Sequence, residues 1–194
     1  MSFTSPRTCS ARRRSPLRWA ATVGLSFAAF AVAGCASDED SASEPADLVV
    51  LDDRTQWSEI SVAADDPFLS HRPATVDCID ATWIAEAGSL ELSTALCDYI
   101  ALRQASLAEL RVGDTIHLEA FHFDLTAAAP AQAHWAILVG DEVMWTKNPV
   151  IPGAAGYFSE DIVVQSDHPV GSPVVIHLHN HGQNTYGLKV LRRL

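Results

Sequence analysis

Ile176-His177-Leu178-His179-Asn180-His181-Gly182 places three imidazoles at alternate positions near the C-terminal end of the chain. On an extended strand, residues two apart share a face and sit roughly 6.5–7 Å apart along the strand. Imidazoles so placed converge on one ion, and neutral imidazole suits zinc or copper. His177, His179 and His181 are therefore candidate ligands. A further donor is expected from a neighbouring strand: His117, Glu119, His122 or His134. The same run also suits plainer work, with imidazoles on the wet face of a strand and Asn180 and Gly182 turning the chain into the next one. Both readings stand on sequence.

Aromatic rings that stack on sugar faces are the second candidate chemistry, with acids and amides bonding the hydroxyls. Trp57, Trp83, Trp135, Trp145, Tyr157 and Tyr186 are available, and Trp145, Tyr157 and Tyr186 are the rings we single out as ligand-binding. Trp135 and Trp145 also suit cross-strand pairing or core burial. The chain has no Gly-x-Ser-x-Gly elbow, His-Glu-x-x-His, P-loop or dinucleotide fingerprint. We therefore read it as a binding module rather than an enzyme.

The elements that must position these residues are short β-like runs. They include residues 48–51, 75–79, 89–93, 99–102, 114–123, 134–139, 142–146, 161–164, 173–179 and 185–191. Gly113-Asp114, Gly140-Asp141, Pro152-Gly153 and Gly182-Gln183-Asn184 punctuate them. Trp135 to Trp145 reads as a hairpin whose Gly140-Asp141 centre suits a primed turn. Residues 104–110 alone lean towards a helix. Several runs alternate: Val174, Ile176 and Leu178 oppose Val175, His177 and His179, and Ile116, Leu118 and Ala120 oppose His117 and Glu119. One buried and one wet face per strand predicts an all-β fold, an antiparallel β-sandwich or jelly roll. Gly182-Gln183-Asn184-Thr185-Tyr186-Gly187-Leu188 resembles the last strand of bacterial carbohydrate-binding and galactose-binding-like jelly rolls, which implies that fold.

The His-x-His strand is also similar to that of copper-zinc superoxide dismutases. That family places further histidines and an aspartate downstream, and only 13 residues follow His181, so we reject that enzyme. A blue-copper site needs a free cysteine and usually a methionine, which the mature chain does not offer in the right form.

The N-terminus decides the compartment. Arg7, Arg12, Arg13, Arg14 and Arg18 precede an apolar run of about 14 residues, too short to span a bilayer comfortably. Small residues then lead to Val32-Ala33-Gly34-Cys35. This order is that of a secretory signal, and its end resembles the lipobox of bacterial lipoproteins. Arg13-Arg14 also loosely resembles a twin-arginine export signal. The lipobox resemblance implies cleavage before Cys35 and lipid on its side chain, which tethers the chain to a membrane without a transmembrane helix. Ala36, rather than Asp, follows Cys35, which by the enterobacterial sorting rule favours the outer membrane, with the domain in the periplasm or on the cell surface.

Residues 1–34 are thus the expected signal, 35–47 the lipidated cysteine and a polar acidic spacer, and 48–194 a single domain. Cys9 leaves with the signal and Cys35 takes the lipid. Cys78 and Cys97 remain as an even pair in an oxidising compartment, which predicts one disulfide. All 24 acidic residues but only 8 of the 13 basic ones follow residue 34, a mature charge of −16. That excludes nucleic acid and anionic lipid headgroups as natural partners and suits cations. A glycan or a protein remains open as partner.

Overall fold

A computed structural model describes residues 49–76, 78 and 82–194. The signal, Cys35 and the acidic spacer lie outside the described residues. Among the described residues no helix is long and apolar enough to cross a membrane.

Among the described residues thirteen strands run in order: β1 (Val49–Val50), β2 (Ser58–Glu59), β3 (Trp83–Glu86), β4 (Ser89–Ser93), β5 (Tyr99–Ala105), β6 (Thr115–His122), β7 (Ala131–Gln132), β8 (His134–Val139), β9 (Glu142–Lys147), β10 (Val150–Ile151), β11 (Gly156–Val163), β12 (Pro173–His179) and β13 (Thr185–Arg193). One antiparallel sheet has the order β11-β6-β13-β4-β3, with β1 also paired to β13. The second has the order β2-β5-β12-β8-β9, and β7 pairs with β10 in a small ribbon. The expected β-sandwich is what forms.

Alternation explains the layering. Ile116, Leu118 and Ala120 of β6 meet Leu90, Leu92, Tyr186 and Leu188 of the first sheet in one core. Ile100, Leu102, Ile137, Val139, Val174, Ile176 and Leu178 enter the same core from the second sheet. The hairpin expected around Gly140-Asp141 is present: β8 pairs with β9, and Gly140 has φ 59°, the left-handed region that a primed turn needs.

Two expectations change. Residues 104–110 form no helix; Gln104 and Ala105 end β5, and the rest is irregular apart from a bridge between Leu110 and His168. Pairing with β12 along seven positions outweighs a weak local helix preference. Residues 75, 76 and 78 of the expected run 75–79 are not strand, and positions 77 and 79 lie outside the described residues.

The second sheet also departs from a sandwich with two wet outer faces. Residues 61–76 form a flap with two 3₁₀ turns, Ala63–Asp65 and Leu69–His71. Under it lies a second apolar cluster of Ile60, Tyr99, Ala101, Leu138 and Val175, with Phe68 and Val76 packed against it. The flap is pinned at one end where the Ile60 N–H donates to Ala101 O at 2.8 Å. Beyond its other end, a disulfide links Cys78 to Cys97, two residues before Tyr99. Removing the bridge by Cys78→Ala with Cys97→Ala is expected to lower unfolding stability by about 2–4 kcal/mol, read from denaturant melts. It is also expected to speed proteolysis within residues 61–76. A melt unchanged from the parent protein would show that the bridge contributes nothing.

Candidate functional site

The outer face of the second sheet brings the histidines together. Register does this: on β12, His177 stands between Ala101 of β5 and Ala136 of β8, and His179 between Tyr99 and His134. The two alanines leave a recess over His177. The flap fills it: the Phe68 ring stacks on His177 with centroids 4.4 Å apart and planes at 22°. His71, on the second 3₁₀ turn, stacks on His134 at 3.9 Å. His134 and His177 lie 4.9 Å apart, and His71 and His177 5.5 Å. The Tyr99 ring meets His177 edge-on at 5.1 Å.

Asp66 locks this arrangement. Its side chain is buried and accepts hydrogen bonds from the Phe68 N–H at 2.9 Å, from Arg72 Nη1 at 3.0 Å and from the Tyr99 hydroxyl at 2.5 Å. The Arg72 guanidinium lies 5.2 Å over the Tyr99 ring. The same side chain donates to Ile60 O at 3.2 Å. The residues flanking His71 are thereby held to β5, so His71 is delivered to the sheet by a buried ionic hub.

His71, His134 and His177 each offer a ring nitrogen, and these atoms all lie within 4.8 Å of one another. A tetrahedral ion with bonds of about 2.0–2.1 Å needs donors roughly 3.4 Å apart, so the His71 ring, stacked on His134, would have to turn as well as move inward for the trio to close on an ion. His177 is 0% exposed, and neither of its ring nitrogens has a hydrogen-bond partner; nor does His134 Nδ1. An unpartnered buried polar atom is costly, and native interiors rarely keep one without a reason. Burial pushes His177 down to about 2, with His134, His71 and His179 adding to the effect. Burial also lowers His134 and His179. These imidazoles are thus held neutral, each with one ring nitrogen free to ligate.

The structure sorts the sequence candidates. His177 belongs to the trio, and His179 borders it, 5.9 Å from the Tyr99 ring. His181 is exposed in the loop after β12, 5.0 Å from His179. His117, His122 and Glu119 are corrected: they lie on β6 in the first sheet, whose neighbours are β11 and β13, so they cannot join β12. His122 points inward and bonds Phe123 O through Nδ1 at 2.9 Å. His71 escaped the sequence reading because a lone histidine in an irregular segment carries no spacing signal. His134 was among the neighbouring-strand donors considered.

Asn180 and Asn184 also prove to be more than turn formers. The Asn180 amide donates to Thr94 Oγ1 at 2.7 Å, and its Oδ1 accepts from the Tyr186 hydroxyl at 2.7 Å. Asn184 donates to Thr126 O and His181 O. This buried net fixes the loop that follows the histidine strand.

The aromatic candidates divide likewise. Trp145 and Tyr186 are corrected: at 4% and 0% exposed they are core rings, meeting Trp135 edge-on at 5.0 and 5.3 Å. Their apolar faces are already used within the core. Tyr157 of β11 is 55% exposed on the first sheet's outer face. Its hydroxyl donates to Glu119 at 2.5 Å, and Lys189 Nζ lies 5.7 Å over its ring. His117 beside it contacts Asp161 at 2.6 Å and Glu119 at 3.3 Å.

No protein-family model and no curated protein matches the chain. Among solved structures it is similar to one described as "CBM4 structure and function", with a TM-score of 0.41 and 11% identity over 61% of this chain and 93% of that one. It is also similar to the N-terminal cellulose-binding domain of Cellulomonas fimi β-1,4-glucanase C, with a TM-score of 0.43 and 10% identity over 61% and 86%. The CBM22-1 xylan-binding domain of Paenibacillus barcinonensis Xyn10C matches at a TM-score of 0.27 and 10% identity over 60% and 87%. Likeness at this level assigns no function to the chain.

Burial of a neutral histidine has a pH signature. The unfolded chain protonates His177 near the ordinary value of 6.5, while the folded chain keeps it neutral down to about pH 2. Protons therefore bind the unfolded state preferentially between these values, so stability is full above about pH 6.5 and falls as the pH drops. Denaturant melts of the metal-free protein should show this loss between pH 7 and 5, and His177→Phe should shrink it. An equal loss in the variant would place its origin elsewhere.

Proposed function

We propose that the protein is an extracytoplasmic binding module, tethered by lipid on Cys35, that holds a transition-metal ion between His71, His134 and His177. The observation that carries this is His177: fully buried, with both ring nitrogens unpartnered, and with two further imidazole nitrogens inside a 4.8 Å cluster. An ion would give those buried lone pairs a partner and would hold the flap to the sheet. The negative body of the mature chain favours the approach of cations. Calorimetric titration of the purified protein without a polyhistidine tag, after chelator treatment, should show one zinc or copper ion per chain, tighter than about micromolar. His71→Ala and His134→Ala should each weaken it at least tenfold. Equal affinity in both variants would remove the trio as the site.

A second reading rests on a different face. Tyr157 is the one tryptophan or tyrosine among the described residues that is exposed; Glu119 accepts from its hydroxyl and Lys189 lies over its ring, and the His117–Asp161 pair continues the polar face along β6 and β11. An exposed ring bordered by an acid and a lysine suits a saccharide, whose C–H face stacks on the ring while its hydroxyls bond the rim. Retention of the protein on insoluble cell-wall or matrix glycan should then fall several-fold in Tyr157→Ala, with metal binding unchanged. Retention equal to the parent's would leave that face without a glycan role.

A further inference from the structure

Resting on the metal reading above, we infer that the trio is built for a monovalent soft cation, copper(I), in preference to a divalent ion such as zinc. The argument is one of charge. All three donors are neutral imidazoles, and no carboxylate or thiolate joins the cluster among the described residues. Cys78 and Cys97 are tied to each other. The carboxylate hub beside the site, Asp66, is already engaged by Arg72, Tyr99 and the Phe68 N–H, so its charge is answered by a guanidinium.

What lines the recess is apolar: the Phe68 ring face-on to His177, the Tyr99 ring edge-on, and the methyl groups of Ala101 and Ala136 on the paired strands. On its His177 side a divalent ion would be poorly solvated, while His71 and His134 are partly exposed on the other. The solvation cost of burying an ion rises with the square of its charge, so a monovalent ion pays roughly a quarter of what a divalent one does. Imidazole nitrogen is an accepted copper ligand, so the case for copper(I) here rests on charge and not on ligand softness.

The surroundings of the donors point the same way. Histidines that ligate a metal usually donate their second ring N–H to a carboxylate, carbonyl or water, which raises their basicity and helps to answer the charge, a help that a divalent ion needs more than a monovalent one. Neither ring nitrogen of His177 has such a partner, and His134 Nδ1 has none. Among the described residues no carboxylate or carbonyl bonds His177 or His134 Nδ1 to assist a doubly charged ion.

The test is a pair of competition titrations on the full, tag-free protein under anaerobic conditions. Copper(I) is held reduced by ascorbate, which leaves the disulfide intact, and competes with the chromophoric chelator bicinchoninate. Zinc is titrated against a zinc indicator. The expected result is one copper(I) per chain, bound at least a hundredfold more tightly than zinc and retained in a hundredfold excess of zinc. The copper absorption edge should show a low-coordinate nitrogen environment. His71→Ala and His134→Ala should each weaken copper(I) at least tenfold, while His181→Ala, altering an exposed imidazole outside the trio, should not. His71→Ala changes a flap residue outside the main core, so it remains informative if a His177 variant fails to fold. Zinc bound as tightly as copper(I), or displacing it, overturns this inference and leaves the metal site standing. Neither ion binding, or binding indifferent to His71 and His134, overturns the metal reading itself.

Discussion

One buried carboxylate organises the second sheet's outer face. Asp66 takes hydrogen bonds from a side chain of β5, from a side chain at the flap's far end and from the flap's own backbone. The contacts to Phe68 and Arg72 are local to the flap, and the contact to Tyr99, 33 positions away, is the one that ties the flap to the sheet. Charge-assisted bonds of this kind are the stronger class, and burial makes their loss costly. Without Asp66 the flap would keep Phe68 and Val76 as apolar contacts, but nothing would set its rotation. Phe68 would lose its seat on His177 and His71 its stack on His134. The buried, neutral condition of His177 is thus a consequence of an ionic contact on another segment.

The two outer faces of the sandwich have different characters for reasons visible in side-chain size. On β12 and its neighbours the outward positions are Ala101, Ala136, Leu138, Val175 and His177, small or apolar enough to accept a cover. On β6 and β11 the outward positions include His117, Glu119, Tyr157 and Asp161. These pair with one another across the strands and stay wet. The domain therefore presents a polar surface on one side and a covered one on the other.

The sandwich was legible in sequence because its signals are local. Alternation in residues 115–120 and 174–179 assigned inner and outer positions correctly, and Gly140-Asp141 announced its hairpin. The Cys78–Cys97 pair was legible by parity, as the two cysteines left outside the expected signal and its lipid site. The flap was not. Residues 61–76 have no period, and Asp66 meets Tyr99 across 33 positions, a distance at which sequence gives no register. For the same reason the outward face of β12 was expected to be wet, and β6 was offered as a source of ligands although it belongs to the other sheet. Pairing order, which decides both points, is set by long-range burial rather than by any residue's own preference.

Because Ile60 is hydrogen-bonded to β5 at one end and Cys78 is covalently joined to Cys97 at the other, the stretch that carries His71 is a closed loop. Its imidazole can leave the sheet but cannot travel far from it. His71 is then present beside His134 and His177 at a high effective concentration, and rebinding is an intramolecular event. A donor so confined makes departure of one ligand easy to reverse. For an ion held as proposed above, such confinement would let one bond break and re-form before the others let go.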